Sequence, residues 1–163
     1  MKSKILIIVY VMALAICFIA LTANCEPAEE YTEAYIICMP DDVVNVRSSP
    51  STRSSPIGYR EPGDIVLLDG KTKKGFYHCV HLALEDDEGW IHKGYVVFDE
   101  PILIKQNATI VSKGRLAARK YVGGKRTRWL KPLASVHVYY WSDEWCLTNC
   151  GYIQTRFLEL EGE

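Results

Sequence analysis

The sequence predicts an all-β protein with two small barrels in tandem after an N-terminal signal or anchor helix. Three observations indicate this architecture: an apolar run at the N-terminus, short alternating segments separated by turn residues after it, and matching motifs in the two halves. The 163 residues, 48% hydrophobic and 24% charged, are typical of a globular protein. This composition excludes a disordered or low-complexity chain.

The N-terminal segment predicts the compartment. Two lysines precede an unbroken apolar run from Ile5 to Leu21, which is the pattern of an export signal. As a helix extended to Ala23, the run would span roughly 28 Å, close to the roughly 30 Å of a bilayer's hydrocarbon. We therefore expect residues 1–25 to be either a cleaved signal peptide or a membrane anchor. Either outcome places the rest outside the cytoplasm, as a secreted, cell-surface or anchored protein.

The first half of the remaining chain consists of short strands and turns. After an acidic tether at residues 26–34, residues 35–98 contain an alternating segment at Val43–Arg47, turn residues at Pro62–Asp64 and an apolar strand from Phe76. A unit this small must hide its strand edges, and closing the sheet into a barrel does so.

The second half, residues 108–160, follows a linker at residues 99–107 and repeats the order of the first. Residues 114–119 match residues 42–47 as a short apolar alternation that ends in arginine. Further matches pair Gly151-Tyr152-Ile153 with Gly89-Trp90-Ile91, Val136–Tyr139 with Ile65–Leu68, and residues 144–146 with residues 76–78. This matched order predicts a duplication.

The motifs of the first half also resemble a known family. Val44 to Ser51 reads Val-Asn-Val-Arg-Ser-Ser-Pro-Ser, and Pro62-Gly63-Asp64, Gly89-Trp90-Ile91 and Tyr95-Val96 follow in order. These motifs resemble the bacterial SH3 (SH3b) domain family. The resemblance implies an SH3-like barrel over residues 35–98 and a divergent copy over residues 108–160.

Beyond residue 25, four cysteines remain, and an even number outside the cytoplasm favours disulfides. Of three pairings we favour Cys38–Cys79 and Cys146–Cys150. In the resembled family the position of Cys79 carries a core valine, and we expect Cys38 to lie on the opening strand, which could be its neighbour. Cys146 and Cys150 flank a three-residue loop, so we expect them to face each other across a hairpin. The alternative is buried free thiols that pack as small apolar residues.

Aromatic residues are the candidate ligand-binding residues. The resemblance implies Tyr59, Trp90 and Tyr95 in the first half, with a core position as the alternative for Trp90. In the second half, Tyr121, Trp129 and Trp141 cluster around predicted loops. Tyrosine and tryptophan supply much of the energy at binding surfaces.

The charge is divided unevenly between the halves. Residues 26–106 hold eight cations and fifteen anions, whereas residues 107–163 hold nine cations and five anions. Residues 113–131 contain no acid, and the candidate anion-binding residues there are Arg115, Arg119, Lys120, Lys125, Arg126 and Arg128. Such a stripe attracts wall teichoic acid, phospholipid headgroups or nucleic acid, although an extracytoplasmic address makes nucleic acid the least expected. The alternative is that it docks on the acidic first half.

We expect no enzyme, no metal and no cofactor. His78 and His81 would point to opposite faces of a strand, which is poor geometry for a metal. Cys146 and Cys150 lack the Cys-x-x-Cys spacing of redox motifs. Together with the resemblance to SH3b domains, the sequence predicts an exported, non-enzymatic SH3b protein, and the resemblance implies that it binds cell-wall peptide or glycan or a surface protein. The alternative is a structural adaptor in a cell-surface or secretion assembly, with the basic stripe binding anionic polymers.

Overall fold

The structure, a computed structural model, describes residues 30–80 and 88–162. The predicted signal or anchor at residues 1–25, and most of the tether, lie outside the described residues. Over the described part the all-β prediction is confirmed, because the helical segments there are two 3₁₀ turns of three residues each, Lys93–Tyr95 and Thr155–Phe157. None of the described helical segments is long and apolar enough to cross a lipid bilayer.

Seven antiparallel strands of the first half form one sheet. They are β1 (Thr32–Ile36), β2 (Val44–Arg47), β3 (Pro56–Arg60), β4 (Ile65–Lys73), β5 (Phe76–Val80), β6 (Gly89–His92) and β7 (Val96–Val97). Their order in space is β3-β2-β6-β5-β4-β1-β7. The alternation in β2 explains its place, because Val44 and Val46 are buried while Asn45 is exposed.

The strands of the second half form a second sheet. They are β8 (Ile102–Ile110), β9 (Leu116–Arg119), β10 (Arg126–Leu130), β11 (Ser135–Trp141), β12 (Trp145–Thr148), β13 (Gly151–Gln154) and β14 (Leu158–Leu160). Their order, β10-β9-β13-β12-β11-β8-β14, repeats that of the first sheet strand for strand. Each strand of the first sheet therefore has an equivalent in the second sheet, seven strands later in the chain.

The strand pairing corrects two of the sequence matches by one residue. Val66 lies opposite Ala34 and Val136 lies opposite Ala108, so Val136 is equivalent to Val66 and not to Ile65. On β12, Trp145 takes the position of Phe76, which the sequence matched to residue 144. Because side chains alternate between faces, a one-residue slip exchanges the buried and exposed sets.

Two predicted segment boundaries also move. β1 begins at Thr32, inside the predicted tether at residues 26–34. β8 begins at Ile102, so most of the predicted linker at residues 99–107 belongs to the second sheet. β8 starts this early because Ile102 and Leu103 pair with the end of β11.

Each sheet has its own hydrophobic core. The first core includes Ile36, Val46, Leu68, Cys79 and Ile91, and the second includes Ile110, Ala118, Val138, Cys146 and Ile153. A third cluster joins the halves, with Ile37 and Val97 from the first packed against residues of the second. Those residues are Tyr140, Trp145, Leu147 and Tyr152.

The two expected disulfides are not formed, and all four cysteines are free thiols. Cys146 lies opposite Ile153 and faces the core, whereas Cys150 lies in the turn that follows β12. Cys38 follows β1, and β4 separates β1 from β5, which carries Cys79.

Cys79 instead serves as a buried hydrogen-bond donor. Its Sγ donates to the carbonyl of Gly89 at 3.2 Å. At the equivalent position of the second half, Thr148 Oγ1 donates to the carbonyl of Gly151 at 2.7 Å. A thiol and a hydroxyl thus fill the same role in the two halves.

Candidate functional site

The candidate site is a groove of about 370 Å³ at the junction of the two halves. Its first-half residues come from the segment around β2, from the loop after it, and from β5, β6 and the following 3₁₀ turn; its second-half residues come from the β9–β10 loop. It is lined by Asp42, Val43, Val44, Asn45, Arg47, Thr52, Phe76, His92, Tyr95, Lys120 and Tyr121. Neither half contains the whole groove.

Arginines at the ends of β2 and β9 fix the loops beside the groove. Arg47 Nη1 donates to the carbonyl of Ser54 at 2.7 Å. Arg119 Nη1 donates to the carbonyl of Gly124, also at 2.7 Å. The two arginines occupy equivalent positions, so both halves make this contact. Arg119, a predicted anion-binding residue, is half-buried and holds its own loop.

Tyr121 fills the space between two glycines. A Cβ atom on Gly94 would lie 2.5 Å from Tyr121 Cδ2, and one on Gly124 would lie 2.3 Å from the same atom. The next amide, that of Val122, donates to the carbonyl of Gly94 at 2.9 Å. The ring is therefore held in place, and the groove wall that it forms is preorganised.

His92 lies at the centre of an aromatic wall. Its ring centroid is 5.2 Å from that of Phe76, 5.9 Å from Tyr95 and 4.9 Å from Tyr121. Nδ1 accepts a hydrogen bond from the amide of Gly94 at 3.1 Å, so a neutral ring carries its proton on Nε2. Burial lowers the pKa of His92, which favours this neutral form at pH 7.

The groove offers charges of both signs beside its aromatic wall. Asp42 lies among its lining residues together with Arg47 and Lys120, and Asn45 and Thr52 add an exposed amide and hydroxyl. Aromatic walls with a few polar groups are typical of ligand sites. This arrangement suits a small peptide-like molecule that carries both an amine and a carboxylate.

The groove contains two of the six predicted ligand-binding aromatics, Tyr95 and Tyr121. Trp90 is half-buried with its ring 4.8 Å from that of His78, and Trp141 packs against the second core. Tyr59 and Trp129 are 61% and 50% exposed on β3 and β10.

Four lining residues were not predicted from the sequence: Asp42, Asn45, Thr52 and His92. A signal was available for Asn45, because it is the exposed residue between the buried valines of β2. His92 gave a weaker signal, because its position at the end of β6 shows its role only once the junction is formed.

A second cavity of about 330 Å³ also lies at the junction. Tyr77, Phe98 and Trp145 line it together with Lys93 and Glu144. Lys93 Nζ lies 4.5 Å from the centroid of the Tyr77 ring, a cation–π contact. The residues predicted from the sequence to bind ligand do not line this cavity.

A metal site and a reactive thiol each place requirements on the described residues. Within residues 30–80 and 88–162, no three His, Cys, Asp or Glu side chains are grouped so that they could hold a metal ion. Burial raises the pKa of Cys38 to about 12, of Cys79 to about 12 and of Cys146 to about 11. A nucleophilic cysteine needs the opposite shift.

Comparisons with known proteins give distant similarities. No family model matches the chain, and no curated protein matches its sequence. Two solved structures that align with it are NlpC1 and NlpC2 from Trichomonas vaginalis, at 16% and 15% identity and a TM-score of 0.37 in each case. Each alignment covers 82% of this chain and 47% or 49% of the other protein, so the chain spans about half their length.

Proposed function

We propose that the protein is an exported, non-enzymatic binding protein of the SH3b type, whose two halves are SH3-like barrels that hold a peptide ligand. The ligand is a stem peptide of the cell wall or a peptide segment of a surface protein. The groove at the junction is the observation that carries the proposal, because it combines the Asn45–Arg47 segment with Lys120 and Tyr121.

The architecture supports the barrel assignment. Each half is a seven-stranded antiparallel sheet around its own core, and β1 pairs with both β4 and β7 in the first. Residues 44–51, which carry the resemblance to SH3b domains, form β2 and the loop beside the groove.

The chemistry of the groove supports a peptide. The negative charge of Asp42 attracts a ligand amine, and the positive charges of Arg47 and Lys120 attract a ligand carboxylate. The aromatic wall offers apolar area to short side chains. Because Tyr121 is held between two glycines, little conformational entropy is lost there on binding.

The test measures binding of soluble stem peptides by calorimetry, together with retention on peptidoglycan stripped of its anionic polymers. We expect Asn45→Ala and Lys120→Ala each to weaken peptide binding about tenfold, which corresponds to about 1.4 kcal/mol. Lys73→Ala changes an exposed cation on β4 that does not line the groove; it is the matched control and should bind as wild type.

Two results would contradict the proposal. The first is a complete failure of the wild-type protein to bind its ligands. It would bind no stem peptide, would not be retained on peptidoglycan, and would cross-link to no peptide segment of a surface protein within the groove. The other is an equal loss of affinity in Lys73→Ala, since that would place the site elsewhere.

A further inference from the structure

The two halves carry opposite charges at equivalent positions. Leu116 and Leu130 pair in the second sheet as Val44 and Arg60 pair in the first. Lys113, three residues before Leu116, is therefore equivalent to Asp41. By the same pairing, Lys131, which directly follows Leu130, is equivalent to Glu61.

The edge strand shows the same change. Arg126 lies opposite Arg119 as Pro56 lies opposite Arg47, so Arg126 is equivalent to Pro56. Arg128 is equivalent to Gly58 in the same way. The first half builds this strand without either charge, so the fold does not require the arginines of the second.

These cations form an exposed surface. We define the basic surface as Lys113, Arg115, Lys125, Arg126, Arg128 and Lys131, together with Trp129. All seven side chains are exposed, and the six cations form no salt bridge with the residues that the structure describes, including the acidic residues described in the first half. Uncompensated like charges repel one another, and an anionic partner relieves this repulsion.

Trp129 adds an aromatic platform to the basic surface. It is 50% exposed, and the guanidinium carbon of Arg126 lies 4.5 Å from its ring centroid. Tyr59 is its equivalent on β3 and is 61% exposed. The duplication therefore kept an exposed ring at this position, and the second half surrounded it with cations.

We propose that the basic surface binds a linear polysaccharide that carries phosphate groups. The cations would meet the phosphates, and the ring of Trp129 would stack on a sugar. A single-stranded nucleic acid fits less well, because such strands are held by several aromatic rings that stack on successive bases, and the basic surface has one. This site is separate from the peptide groove, which its six cations and Trp129 do not line.

The test measures binding of the whole protein to phosphorylated dextran over a range of salt concentrations. Unmodified dextran and a 20-nucleotide oligothymidylate are the comparison ligands. The key variant exchanges Lys113→Asp and Lys131→Glu, residues that the first half already carries at these positions. The matched control, Arg53→Asp with Lys73→Asp, changes the net charge equally on exposed residues of the first half.

We expect wild type to bind phosphorylated dextran and not unmodified dextran. The key variant should bind at least tenfold more weakly, with a shallower dependence on salt because fewer counterions are released. Trp129→Ala should lose several-fold in affinity with an unchanged salt dependence, since tryptophan releases no counterions. The control should stay within twofold of wild type, and thermal unfolding verifies that each variant is folded.

Three results would overturn the inference. Equal losses of affinity in the key variant and the control would show that net charge alone causes the effect. Binding to oligothymidylate as tight as to phosphorylated dextran would assign the surface to nucleic acid. Absence of binding to phosphorylated dextran at low salt would show that the basic surface is not a binding site for such a polysaccharide. The result of the peptide experiment on the groove would not depend on this outcome.

Discussion

Leu133 has a left-handed backbone with φ of 59°, where the first half has Gly63 at φ of 90°. Both amides close the same turn, because Leu133 N donates to the carbonyl of Ile110 and Gly63 N donates to that of Ile36. The leucine side chain is 80% exposed, so little packing offsets the steric cost of this conformation.

We expect Leu133→Gly to stabilise the protein by roughly 0.5–1 kcal/mol, since relief of the left-handed strain exceeds the entropy that glycine adds to the unfolded chain. Urea denaturation measures the change. Leu133→Ala is the control, because it removes the exposed side chain and keeps the strain. Equal stability of the two variants would contradict the argument.

Asp69 makes the protein sensitive to acid. Burial opposes its ionisation, but the hydrogen bonds from Lys71 and His78 lower the pKa of Asp69 from 3.8 to about 2. Its Oδ2 lies 2.7 Å from Lys71 Nζ and 2.8 Å from His78 Nδ1. Because the folded-state pKa is depressed, this stabilisation is complete above pH 3.8 and is lost as the pH falls through about 2.

We expect Asp69→Asn to cost about 1 kcal/mol at pH 7. The difference from wild type should shrink as the pH falls from 4 to 2. Urea unfolding at a series of pH values measures both effects. A difference that does not change with pH would show that the carboxylate charge contributes nothing.

At the scale of the element, the 3₁₀ turn at Lys93–Tyr95 depends on having no side chain at its centre. An alanine Cβ at Gly94 would lie 2.5–2.7 Å from three atoms of Tyr121. We expect Gly94→Ala to destabilise the protein by about 1–3 kcal/mol, the usual cost of overpacking, and to weaken peptide binding in the groove.

The matched control for this prediction is Gly114→Ala. A Cβ at Gly114 has no heavy atom within 4 Å, and its backbone does not have the positive φ that favours glycine. It should therefore leave the urea midpoint unchanged or raise it slightly. If Gly94→Ala were as stable as this control, Tyr121 would not be fixed by contact with the turn.

Elements with a clear period were predictable from the sequence. The alternation of Val44 and Val46 places β2, and glycines start both β6 and β13. The register of β11 was less accessible, because Val136 and Val138 flank a half-buried histidine and either valine could be matched to Ile65. The pairing of Val136 with Ala108 decides the register, and the order of apolar and polar residues within β11 does not predict this contact between strands.

The candidate site was less predictable, for a physical reason. Its lining includes residues more than seventy positions apart in the sequence, such as Asn45 and Tyr121. Tyr121 gave a signal as an aromatic residue in a loop, but its contact with Gly94 of the other half forms only when the halves dock. A sequence pattern shows which face of a strand is buried, and it does not show which module covers that face.

At the scale of the whole molecule, the halves share one apolar junction and should unfold together. The described residues from Tyr31 onward form one compact unit. Tyr152 is 3% exposed in the junction cluster, and its hydroxyl donates to the carbonyl of Ile37 at 2.7 Å. Burial raises the pKa of Tyr152, so the hydroxyl stays a donor across the working pH range.

We expect a single calorimetric transition in wild type, with the calorimetric enthalpy equal to the van 't Hoff enthalpy. Tyr152→Phe should keep one transition and cost about 1–2 kcal/mol, because the carbonyl of Ile37 loses its partner inside the junction. Tyr152→Ala also opens a cavity there and should separate the transition into two. Two transitions already present in wild type would mean that each half is stable by itself and that the groove between them is not preorganised.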